Sequence, residues 1–226
     1  MIKKFKLTLF IVFFIYQTSV FSKTTDDKNF NPKYLSNYLS AIISQNTEDS
    51  LKHFNSSKIL INKHDKYLKK YVLNLTINGQ VQKAITVINQ NKNKINSKFF
   101  EAKLLLLIDN FKKKNFNQNI KLLNELQRYR DSENFNYIIY EVLKSYNDLF
   151  LTRELNSNKK DFGKLSLINE VFQYCYLDRT ETNSKFINLI NSSEGNYTRY
   201  LFFYLNNLIK KNDFKSAIQI SKDINI

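Results

Sequence analysis

Few side chains in this chain are of the kinds that perform chemistry, and their spacing argues against most reactions. There are two histidines, His53 and His64, and one cysteine, Cys175. A zinc site needs several converging ligands, and no spacing of these residues with Asp or Glu supplies them. His53 reads as a helix residue beside Phe54, and His64 as a turn residue beside Asp65. A lone cysteine forms no intramolecular disulfide. Cys175 falls in the apolar pattern Leu165, Ile168, Phe172, Cys175, Tyr176, which makes it a small buried hydrophobe and not a nucleophile. Glu170, Asp178 and Glu181 are scattered and read as solvated charges, with no close carboxylate pair for acid–base work. A Gly-rich phosphate loop and a serine nucleophile motif are both missing from the sequence. The expectation is a chain without catalytic residues, metal or cofactor.

Composition narrows the elements that could position such residues. With 3 Gly, 1 Pro and no Trp among 226 residues, a β-sandwich needing many tight turns is disfavoured, whereas helices with short polar connections are easily built. The high Phe and Tyr content suits an apolar core and excludes general disorder. The formal charge is +15, or +12 once Lys3, Lys4 and Lys6 are subtracted (15 − 3). The basic residues are spread along the chain, with only the run Lys112-Lys113-Lys114 and the pair Lys210-Lys211. Lys, Asn, Ile, Phe and Tyr share A/T-rich codons, so nucleotide bias accounts for the excess and nucleic-acid binding is not expected. Four Asn-x-Ser/Thr sequons, at Asn55, Asn74, Asn191 and Asn196, are put down to chance in so Asn-rich a chain.

The N-terminus reads as a targeting segment. Lys3, Lys4 and Lys6 precede the apolar stretch from Leu7 to Tyr16, and Val20-Phe21-Ser22 offers a cleavage site before Lys23. The stretch is shorter than the about 20 residues a membrane-spanning helix needs. Residues 1–22 are thus assigned as a signal peptide and 23–33 as a polar leader. The rival is an uncleaved anchor continuing through Val20 and Phe21, but Gln17, Thr18 and Ser19 interrupt the run. No membrane span is expected after cleavage, and the chain is placed in the periplasm or cell envelope of a Gram-negative bacterium.

From Tyr34 onward, amphipathic stretches alternate with short polar breaks. Leu35, Tyr38, Leu39 and Ile42 form a first apolar set, followed by Leu51, Phe54 and Ile61. Phe100, Leu104, Leu107, Ile108 and Phe111 follow the helical spacing i, i+4, i+7, i+8, i+11. The segment from Phe135 to Leu149 opens a fourth pair whose second helix cannot be placed, because Asn156–Lys160 is polar. The chain also repeats itself. Leu68, Tyr71, Val72 and Leu75 reappear as Leu201, Tyr204, Leu205 and Leu208, and Ala84-Ile85 as Ala217-Ile218. The step is 133 (201 − 68, and 217 − 84), close to four units of roughly 33–34 residues, the length of a helix-turn-helix repeat. The expected fold is all-α: a right-handed helix-turn-helix repeat solenoid of about six antiparallel pairs over residues 34–226. A closed helical bundle is the rival, but it has no reason to repeat its core at a fixed offset.

Asn212-Asp213-Phe214 with Ala217, Asn115-Phe116, and Gly79 with Ala84 set large apolar groups, a turn and then a small residue in one order. In this the chain resembles tetratricopeptide (TPR) repeats, and Leu106–Lys112 followed by Asn115-Phe116 resembles exported bacterial TPR proteins. Asn119 and Thr182 fill the small-residue slot in the third and fifth pairs. The chain stops at Ile226 near the end of a second helix, so either it continues or its last face meets a partner. The resemblance implies a protein or peptide bound in a groove lined by first helices. By register that groove would carry Lys66, Lys69, Thr76, Asp109, Lys112, Arg199, Asn206 and Lys210. The function expected is an exported, non-catalytic interaction scaffold. The alternatives are an accessory domain of an envelope enzyme acting on peptidoglycan or polysaccharide and, less favoured, nucleic-acid binding through basic helices.

Overall fold

The structure is a computed structural model that describes residues 31–127, 135–156, 160–192 and 198–223. The assigned signal segment 1–22, its cleavage point and most of the 23–33 leader lie outside the described residues. Within them the chain is all-helical, with eleven α-helices and no strand. No helix among the described residues is long and apolar enough to cross a membrane. The chain divides into two compact units, Met1–Ala84 and Ile85–Ile226.

The first unit holds α1 (Pro32–Ile43), α2 (Thr47–Ser56), a 3-10 turn (Lys58–Asn62) and α3 (Tyr67–Ile77). Helix α1 starts two residues before the expected Tyr34. Pro32 occupies the first turn, where its missing N–H costs nothing, and Asn31 Oδ1 accepts the Lys33 N–H at 2.9 Å. Asn46 caps α2 in the same way, accepting from the Glu48 and Asp49 N–H groups at 2.8 and 3.2 Å. The core here is aromatic. Tyr38, Phe54, Tyr67 and Tyr71 pack with ring centroids 5.3–6.1 Å apart. Their hydroxyls find partners: Tyr67 donates to the Phe54 carbonyl, and Tyr71 donates to Asn55 Oδ1 at 2.8 Å. Burial pushes the Tyr67 phenol far above its ordinary value, so it stays a donor. The first apolar set is only partly core. Tyr38 and Ala41 are buried, while Leu35, Leu39 and Ile42 are exposed, because no described helix covers that side of α1.

Helix α4 (Val81–Gln90) carries the boundary between the units. The second unit continues with α5 (Phe100–Lys112), α6 (Phe116–Leu126), α7 (Phe135–Thr152), α8 (Lys164–Tyr176), α9 (Thr182–Ile190), α10 (Leu201–Lys210) and α11 (Phe214–Asp223). Helices α5 and α6, α8 and α9, and α10 and α11 pack as consecutive neighbours. Two apolar clusters hold this unit. Phe100, Leu107, Leu123, Leu126 and Tyr140 join α5, α6 and α7. Val171, Phe186, Leu189, Tyr204, Leu208 and Ala217 join α8 through α11. Between Thr152 and Lys164 no helix is described, so α7 has α8 as its next helix and the fourth pair lacks a second member among the described residues.

Four helices end in one kind of turn. Gly79, Lys114, Asp178 and Asn212 all take positive φ, at 71°, 60°, 52° and 58°. In each, the N–H of the next residue reaches back five positions: Gln80 to Leu75, Asn115 to Asn110, Arg179 to Tyr174 and Asp213 to Leu208, at 2.8–3.1 Å. Each positive-φ residue also bonds three positions back, as in the Schellman motif. Gly79 and Asn212 lie 133 apart, the step already seen in the sequence, and the five-back and three-back bonds of the two turns correspond. Ala84, Asn119 and Ala217 follow the positive-φ residue by five positions and Thr182 by four, and all four are buried.

Candidate interaction surface

The groove residues expected from register fall in both units. Lys66, Lys69 and Thr76 belong to the first. Lys66 is exposed ahead of α3 and Lys69 is half-buried, whereas the Thr76 hydroxyl turns back to donate to the Val72 carbonyl at 3.0 Å. The remaining five belong to the second unit. Asp109 is largely buried and ion-paired with Lys113 at 2.6 Å, while Lys112 is exposed.

Arg199, Asn206 and Lys210 come together on one face. Arg199 sits in the 3-10 turn Thr198–Tyr200 that leads into α10, and all three are exposed. The core stripe of α10 is Leu201, Tyr204, Leu205 and Leu208. At 100° per residue, positions 199, 206 and 210 project from the opposite side of that helix. The same side carries Phe202, Phe203 and Ile209. Phe203 is anchored edge-on against Phe172, with centroids 5.0 Å apart. Phe202 touches only Phe203 among the described rings, at 5.7 Å, and is 72% exposed. The Arg199 guanidinium lies 4.9 Å from the Tyr200 ring centroid. On α11, Phe214 and Ile218 are also exposed, and Lys215 and Lys222 flank Ile218. The result is a basic surface interrupted by large apolar side chains. The sequence register named Arg199, Asn206 and Lys210 and did not name Phe202. The signal was present: in Leu201-Phe202-Phe203-Tyr204 a helix that buries 201 and 204 must turn 202 outward.

The chemistry-bearing residues are held in structural settings. The His64 ring packs 4.7 Å from Tyr38. Burial pushes the Cys175 thiol up, and Cys175 Sγ donates to Asn207 Oδ1 at 3.5 Å. Asp178 pairs with Lys211 at 2.8 Å. No group of His, Cys, Asp or Glu among the described residues is arranged to hold a metal ion.

Glu170 departs from the expectation of a solvated charge. It is half-buried, pairs with Lys185 at 3.1 Å and lines a polar cleft of about 350 Å³ between α7 and α8. Gln173, buried in that cleft, donates from Nε2 to Ser145 Oγ at 2.9 Å. Tyr146 donates to Asn169 Oδ1 at 3.4 Å, and burial pushes its phenol up to about 12.

The chain matches no protein-family profile, no curated protein and no solved structure.

Proposed function

We propose that this chain is an exported, non-catalytic interaction scaffold built from TPR-like helix pairs, which holds a protein or peptide partner on the outward side of α10. The observation that carries this reading is Phe202, a large ring left 72% exposed between Arg199 and Lys210 on a helix whose other side is core. Aromatic and arginine side chains dominate the energetics of protein interfaces, and exposed apolar groups rimmed by charge are where partners dock. The basic rim selects a partner of acidic and apolar character, such as an amphipathic helix or extended acidic segment. The Schellman turns that recur through both units support a repeat architecture, and the N-terminal basic and apolar order supports export to the envelope.

The test is affinity capture from an envelope fraction by the chain and by a triple variant, Arg199→Glu, Phe202→Ser and Lys210→Glu. All three positions face away from the core, so circular dichroism should remain helical. Capture of an acidic partner should fall about tenfold or more, while the control pair Lys92→Glu and Lys98→Glu should retain it. Undiminished capture by the triple variant would remove this face as the site.

A further inference from the structure

We infer that the cleft between α7 and α8 is a binding site for a small acidic sugar of the uronic-acid class, mono- to disaccharide in size. The argument begins with α8, which carries two different faces. Ile168, Val171 and Cys175 pack into the core shared with α9 and α10. Ser166, Asn169, Glu170 and Gln173 follow the spacing i, i+3, i+4, i+7 on another face, and all four line the cleft. From α7, Glu141, Lys144 and Ser145 line it opposite them. Neighbouring helices normally meet through apolar stripes. Here two polar stripes meet across a space of about 350 Å³, within the usual range for small-ligand sites of about 300–1,000 Å³.

The chemistry of the lining sets the ligand class. Both carboxylates are already matched by lysines: Glu141 by Lys160 at 3.6 Å and Glu170 by Lys185 at 3.1 Å. They can accept from a ligand without leaving a buried charge uncompensated. Donors line the cleft as well. Ser145 accepts from Gln173, which leaves its own O–H to give, and Asn169 accepts from Tyr146, which leaves its amide N–H2 to give. Hydroxyl groups both donate and accept, so a polyhydroxylated ring satisfies carboxylates and amides together. Val142 and the half-buried Phe162 ring supply an apolar wall for the C–H face of such a ring. Lys144 stands exposed at the rim and has no ion-pair partner among the described residues, which matches one acid group on the ligand.

Titration of the full chain with D-glucuronic acid, D-glucose and inorganic phosphate, followed by NMR of side-chain amides, tests the assignment. Glucuronic acid should shift the Asn169 and Gln173 amides saturably, with a Kd of about 1 mM or tighter. Glucose should bind the same amides about tenfold more weakly, and phosphate should leave them unmoved. Lys144→Met, an exposed change that does not touch the core, should bring glucuronate affinity down to that of glucose. Asn169→Leu should abolish both. The inference is overturned if neither sugar shifts these amides, if phosphate binds as well as glucuronate, or if Lys144→Met leaves glucuronate affinity unchanged.

Discussion

Helices α3–α4 and α10–α11 are built on one pattern and end with different surroundings. Leu68, Tyr71 and Leu75 are buried, and so are Leu201, Tyr204 and Leu208, the residues 133 further on. The turns share the same Schellman bonds, with Gly79 in one and Asn212 in the other at positive φ. The difference comes after the turn. Ile85 is 4% exposed, whereas its counterpart Ile218 is 55% exposed. One apolar pattern therefore ends in two surroundings, covered at Ile85 and open at Ile218. In α11 nothing among the described residues covers the face of Ile218. The neighbouring helix α10 carries Phe202 and Lys210, with Arg199 in the turn that leads into it.

The largest effect should come from breaking this contrast directly. Ile85→Ala should cost about 2–5 kcal/mol, the usual price of emptying a buried aliphatic site, while Ile218→Ala should stay within about 0.5 kcal/mol. Urea midpoints of the two variants measure the difference, and equal losses would mean that α11 is covered in solution.

Ala84→Leu and Ala217→Leu sharpen the comparison at the small-residue position. Overpacking costs about 1–3 kcal/mol, and the fully buried Ala84 should fall at the upper end. Ala217, which is 8% exposed, should fall at the lower end. If both alanines tolerate leucine with no shift in Tm, the proposed close approach at these positions is wrong.

The turns should give smaller changes of opposite sign. A left-handed conformation costs a residue with a Cβ about 1 kcal/mol. Gly79→Ala should lose about that much although nothing lies within 4 Å of the added Cβ. Lys114→Gly should gain a similar amount, read as a rise in Tm. At the bottom of the scale, Lys66→Ala should change stability by less than about 0.5 kcal/mol, since the side chain is exposed.

The helices themselves were legible because apolar spacing marks an amphipathic face. Phe100 and Leu107 of the α5 stripe are buried, whereas Ile108 of the same stripe is 50% exposed. The turn at Gly79 was legible too, since glycine advertises a positive φ. Lys114 and Asp178 adopt that conformation without advertising it, so the shared turn became visible only through its backbone bonds. Leu35, Leu39 and Ile42 belong to the apolar set of α1 and are nonetheless exposed, because periodicity shows that a face is apolar, not that a neighbour covers it. The α7–α8 cleft was hidden for the mirror-image reason. Ser166, Asn169, Glu170 and Gln173 have the pattern of a solvated face, and spacing within α8 cannot reveal a second polar stripe opposite. Phe202 was hidden because it lies in the unbroken apolar run Leu201-Phe202-Phe203-Tyr204, whose ends are core.

A photo-reactive amino acid placed at position 202 tests the central claim most directly, with position 117, exposed on α6, as the comparison. Irradiation of the full chain in its native cells should give a discrete adduct with one acidic protein from position 202 and none from 117. An adduct from 117 and none from 202, or the same adducts from both, would contradict the account.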